Sequence, residues 1–282
     1  MTTRLTTVRF LVWATLSVLP WGVTAAAEES VVFRVENEVF VNDDEAPVSK
    51  SLTLFANGVT WDFLDPRPKP GVAGGSDVAE VILHDAARER VVMLDATRSI
   101  KTEIKTIQLE RLNVSLAKWA RKAGDPLIRW AGGPDFGEAF AEETKSHLEL
   151  AGPRVRYLVD FSTEVPADAA AAYRRFADAA ILLKALMQPG GIPPFPRLAV
   201  NRRVEAAGGV PTSVTLELAP RLAVLPGQRE TYRSVHKLHP QLIDGDRSRI
   251  DAAAARMGVA EAVDLDEFVR RRQVDPMQHP DS

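Results

Sequence analysis

From Val31 to Ile104 the hydrophobic period of the chain is two, and its breaks carry turn chemistry, so this stretch is built of strands. Phe33, Val35, Val39 and Val41 alternate with Arg34, Glu36 and Glu38, which gives one apolar and one wet face. Leu52, Leu54 and Ala56 run into Asn57-Gly58, and Val59, Trp61 and Phe63 lead away, alternating with Thr60 and Asp62. Asn-Gly suits a type I′ turn, whose central residues both take positive φ, so a tight hairpin is predicted here. Asp85-Ala86-Ala87-Arg88 and Asp95-Ala96-Thr97-Arg98 then recur around the apolar run Val91-Val92-Met93-Leu94. Aspartate opens type I turns by accepting from the backbone that follows, so strands at about 80–84, 90–94 and 99–104 form a meander. The proline- and glycine-rich stretch from Asp65 to Ser76 reads as an exposed loop.

After residue 105 the period becomes helical. Leu109, Leu112, Leu116, Trp119 and Ala123 recur at three- and four-residue spacing until Gly124 and Asp125-Pro126 stop a helix over about 106–123. Lys118, Arg121 and Lys122 at its end complement the helix dipole, a simpler reading of the cluster than its alternative, a phosphate or head-group site. Strand character returns over 140–163, and a second helix runs from near Pro166 to Met187. Its wider apolar surface, including Tyr173, Phe176, Ile181 and Leu183, makes it the more buried of the two. A hairpin of about 198–206 and 212–219 around Gly208-Gly209, a strand at 229–238 and short C-terminal helices follow, one of them capped by Asp264. Residues 274–282, with Pro276 and Pro280, read as a flexible tail.

Arg4 and Arg9, the apolar stretch from Phe10 to Val23 and the small residues Ala25-Ala26-Ala27 form an export signal, with cleavage expected after Ala27. Residues 28–273 are then one β-rich domain in the periplasm or outside the cell, with no transmembrane segment after cleavage. With 282 residues, 45% of them hydrophobic, the chain can bury a core. The absence of cysteine excludes disulfides, thiolate nucleophiles and iron–sulfur clusters, and the formal charge of −3 without basic blocks gives no footprint for nucleic acid.

The five histidines are His84, His147, His236, His239 and His279, and none form the helical pair of a zinc protease. His236 and His239 are the nearest to a metal pair, but in a continuous strand their i, i+3 spacing sends them to opposite faces. Asp43-Asp44-Glu45 reads as an exposed acidic turn, and Asp244-Gly245-Asp246 as a helix cap. No nucleophile elbow, phosphate loop or dinucleotide motif is present. No metal or cofactor is implied. What remains is an apolar sheet face and the helices that must cover it. Phe33, Trp61, Phe63, Leu83 and Met93 from strands, with Leu116, Trp119, Phe176 and Met187 from helices, are expected at that junction, as packed core or as the lining for a hydrophobic ligand.

Val81 to Asp85, Arg90 to Asp95 and Ile100 to Ile104, with the alternation over 31–63, give a pattern that resembles the LolA/LppX superfamily of periplasmic lipoprotein carriers. That resemblance implies an α+β fold: a largely antiparallel, strongly curved sheet, half-open like a barrel, with two packed amphipathic helices in its concavity. It also implies an apolar site for acyl chains. The departures are helices placed after the sixth strand and extra C-terminal helices. The expectation is an exported, non-enzymatic protein that binds or carries a lipid, acyl chain or lipidated protein, or serves as an envelope scaffold. The alternatives are a hydrolase built from scattered carboxylates and histidines, and a partner-binding module using a sheet edge or the loop at 66–71.

Overall fold

The computed structural model describes residues 31–65, 80–136, 141–188, 190–219 and 229–273. The expected export signal, most of the proline-rich loop, His279 and the expected C-terminal tail lie outside them. Along the chain run β1 (Phe33–Val41), β2 (Ser49–Ala56), β3 (Val59–Leu64), β4 (Glu80–Asp85), β5 (Arg90–Asp95) and β6 (Ile100–Lys105). Next come α1 (Thr106–Arg121), α2 (Pro126–Ala131), β7 (Ala141–Glu143), β8 (His147–Gly152), β9 (Val155–Ser162), α3 (Ala169–Met187) and α4 (Phe195–Ala206). The chain continues with β10 (Val210–Leu218), β11 (Glu230–His239), α5 (Asp244–Val259), β12 (Glu261–Ala262) and α6 (Leu265–Gln273).

The twelve strands of the described residues join one sheet in the order β12-β6-β5-β4-β3-β2-β1-β11-β10-β9-β8-β7. Every pairing is antiparallel except the two-residue contact of β12 with β6. The fold is therefore α+β with a large, mostly antiparallel sheet that is open, β12 and β7 being its edges. The pairing of β1 with β11 ties the N-terminal meander to the later strands, Arg34 facing His239 and Val41 facing Tyr232.

The turns follow their residues. Asn57 and Gly58 take φ of 53° and 74°, the two positive values that a type I′ hairpin requires. Asp85 and Asp95 each accept from the backbone N–H three residues on and also bind that residue's guanidinium, Arg88 or Arg98, at 2.9 Å. Burial pushes both carboxyls up, yet these hydrogen bonds win and hold both pKa values below the ordinary range.

Helices cover both faces. On one, α1, α2, α3, α4 and α6 contribute Leu109, Leu127, Leu182, Val200 and Phe268 to clusters with Ile82, Met93, Val159 and Phe161. On the other, Ala253 and Met257 of α5 pack on Leu54, Trp61, Phe63 and Leu94. Arg34 of β1 reaches Asp246 of α5 at 3.2 Å, and Asp246 also accepts from the Ile243 N–H, so it caps the helix as its sequence predicts. Consequently β2 to β5 are covered on both sides, and the run Val91-Val92-Met93-Leu94 is buried throughout. The one-sided sheet expected from the first strand holds for β1 but not for β2 to β5.

Two further differences concern the helices. Among the described residues there are six rather than two packed helices with short C-terminal ones, and α5 spans 16 residues. The expected strand at 198–206 is α4: prolines at 194 and 196 preset φ for a first helical turn, and Val200 and Val204 fall four apart on the buried side. As expected, α3 is more buried than α1, which buries only Leu109 and Ala120. No helix of the described residues is long and apolar enough to cross a membrane.

Candidate functional site

Where α3 crosses the middle of the sheet, aromatic rings and unpaired polar atoms share one buried layer. Phe33 and Phe55 are direct cross-strand partners, and their rings stack with centroids 3.9 Å apart. Above them α3 sets Tyr173 and Phe176, three residues apart and so on one helix face. Phe176 meets Phe55 edge-on at 5.8 Å and the His84 imidazole at 5.1 Å. Tyr173 meets His236 edge-on at 6.0 Å. The result is a continuous chain of rings from β4 to β11.

The polar groups in this layer are held out of water. Asp62 accepts from the Thr53 hydroxyl at 2.8 Å. Burial pushes its pKa up to about 7, with a further rise from the charge of Glu80. Burial lowers His84 to about 4, and neither of its ring nitrogens has a partner. His236 is lowered to about 3, first by burial and then by the Arg197 charge. Ser234 donates to Asn37 Oδ1 at 2.6 Å, so the 3.3 Å contact with His236 Nε2 is one in which the imidazole donates, which leaves His236 Nδ1 a bare acceptor. Arg197, brought in by α4, has its Nη1 buried without a partner, and its charge is felt by Tyr157 and Tyr173. A buried donor or acceptor without a partner costs about 1–3 kcal/mol. The helix layer therefore closes over the sheet at a local penalty.

The expected lining residues divide between the faces. Phe33 and Phe176 share the cluster just described, and Met93 and Met187 lie in the neighbouring cluster on the same side. Trp61, Phe63 and Leu83 point the other way and pack against α5. Leu116 is half-buried on α1, and Trp119 is 55% exposed. His236 and His239 lie on opposite faces of β11, as their spacing predicts: His236 is buried beside Tyr173, while His239 stands 3.5 Å from Glu36. No cluster of three metal-ligating side chains occurs among the described residues.

Asp62, His84 and Arg197 were not singled out by their sequence context. Thr60 and Asp62 alternate with Trp61 and Phe63 as a wet face would, yet β3 turns those polar positions inward under the helices. The legible signal was the unbroken apolar run of β5, which shows that this part of the sheet is covered twice. No family model matches the chain, and no curated protein matches it.

Proposed function

We propose that this is an exported, non-enzymatic protein that binds or carries an amphiphile, a lipid or an acylated partner, in the periplasm or outside the cell. The acyl chain lies between the sheet and α3, along Phe33, Phe55 and Phe176, and an acidic head group meets Arg197 and His236. For this role the sheet curves round the helices as a half-open barrel, in keeping with the resemblance to lipoprotein carriers. One observation carries it: His84, His236 and Arg197 hold buried polar atoms without partners inside an aromatic layer. Separating α3 from the sheet hydrates or satisfies those atoms, which offsets part of the apolar area exposed. An amphiphile supplies both halves of what such an interface lacks.

Native mass spectrometry of protein purified gently from an exporting host tests this. A dissociable adduct of lipid mass is expected, and Phe176→Ala should lower its occupancy. A bare mass that stays bare after incubation with palmitate or lysophospholipid refutes the carrier role.

A further inference from the structure

α1 presents an outer surface that the amphiphile site does not use. Ile107, Arg111, Val114, Lys118 and Arg121 recur at four- and three-residue spacing on the side opposite the buried Leu109 and Ala120. Ile107 is 48% exposed and Val114 53%, and Trp119 lies at the edge of the same surface with 55% of its area in water. Glu110 is the single acid of the helix, and Arg111, Lys118 and Lys122 join no ion pair among the described residues. In a protein of formal charge −3 this is a local concentration of positive charge beside exposed apolar side chains.

The surface leads into a cleft of about 370 Å³ between α1, the segment after α2, and α4. Val114, Ala117 and Phe195 form its apolar wall, and Lys118, Arg121 and Arg202 bring three cations to it. The Arg121 guanidinium is fixed there, because its Nε donates to the Gly132 carbonyl at 3.0 Å. Gly132 allows this approach: a Cβ on it would stand 2.7 Å from the Ala120 Cβ and from the Arg121 backbone nitrogen. The remaining guanidinium nitrogens of Arg121 make no hydrogen bond among the described residues.

We propose that α1 and this cleft dock the protein on an anionic phospholipid surface, with a lipid phosphate between Lys118, Arg121 and Arg202 and the Ile107, Val114 and Trp119 side chains among the head groups. Exposed β-branched and indole side chains alternating with cations are what an interfacial helix requires, since apolar burial and attraction to anionic lipid then act on one face. The helix lies on the membrane and does not cross it. Docking is independent of whether the interior under α3 takes a ligand.

Sedimentation of the exported protein with phosphatidylcholine vesicles, with and without phosphatidylglycerol, tests the proposal. Binding to the mixed vesicles alone is expected, weakening as salt is added, with tryptophan emission moving to shorter wavelength. Lys118→Glu changes the local charge by two and should lower the partition coefficient about thirtyfold. Val114→Ser should lower it without changing its salt dependence. Both residues are exposed, so an unchanged thermal midpoint confirms that the fold is intact. Equal binding to neutral and mixed vesicles overturns the phosphate role. Absence of binding, or saturable binding of inorganic phosphate without any to vesicles, overturns membrane docking itself.

Discussion

Acidification probes the layer that α3 covers, because its histidines and its aspartate pull stability in opposite directions. His84 and His236 are neutral in the fold, with pKa values lowered to about 4 and about 3, chiefly by burial. In the unfolded chain an imidazole titrates near 6.5, so the stability tied to each histidine is whole above that pH and is lost as pH falls toward the folded value. Asp62 is raised to about 7 by burial, so it keeps its proton in the fold over a range where the unfolded chain has released it. Its contribution is greatest below the unfolded pKa and is lost as pH rises through the folded one. At about 1.4 kcal/mol per pKa unit, going from about pH 7 to about pH 5 removes roughly 2 kcal/mol for each histidine and restores roughly 2 for Asp62. The protein should therefore lose about 1–2 kcal/mol over this interval. Asp62→Asn keeps an oxygen acceptor for Thr53 but cannot titrate, so this variant should lose about 4 kcal/mol. His84→Leu should be nearly flat. Urea midpoints followed by far-ultraviolet circular dichroism at the two pH values decide the matter. Parallel acid losses in the wild type and Asp62→Asn would refute the assignment of Asp62 as a buried, proton-holding group.

Two substitutions test the packing on either side of the sheet. A Cβ at Gly152 would stand 2.1 Å from the Trp130 ring, so Gly152→Ala must displace the indole from β8 and should cost about 1–3 kcal/mol, with a changed near-ultraviolet tryptophan signal. Asp246→Ala leaves Arg34, whose side chain is 13% exposed, with Glu36 alone and uncaps the Ile243 N–H; a loss of about 3 kcal/mol is expected by denaturant titration, and a change below about half a kcal/mol would mean that α5 is not anchored there.

The strands were legible wherever the local code was complete. Asn57-Gly58 and the two Asp-x-x-Arg turns fix the loops through side-chain chemistry that acts within four residues, so the order of these hairpins followed from sequence. α1 and α3 were legible because large apolar residues recur on one face. α5 was not, since the face it buries is Ile250, Ala253, Met257 and Ala260, where alanine gives almost no hydrophobic contrast. α4 was misread because Leu198 and Val200 also fit a period of two over a span as short as a strand.

The site was the harder part for a related reason. Alternation tells which residues of a strand share a face; it does not tell which face a helix will cover, because that depends on elements a hundred or more residues away. In β3 the apolar set, Trp61 and Phe63, is claimed by α5, which lies about 180 residues further along the chain. The polar set, Thr60 and Asp62, is left to face α3, and Asp62 is sealed there with Thr53 as its partner. A sheet covered on one side only would have placed Asp62 in water, with an ordinary carboxyl and no part in any site. The second cover therefore does more than add core. By taking the apolar faces of β2 to β4 for itself, α5 leaves their mixed polar and aromatic faces beneath α3, and that creates the unsatisfied layer on which the proposed function rests.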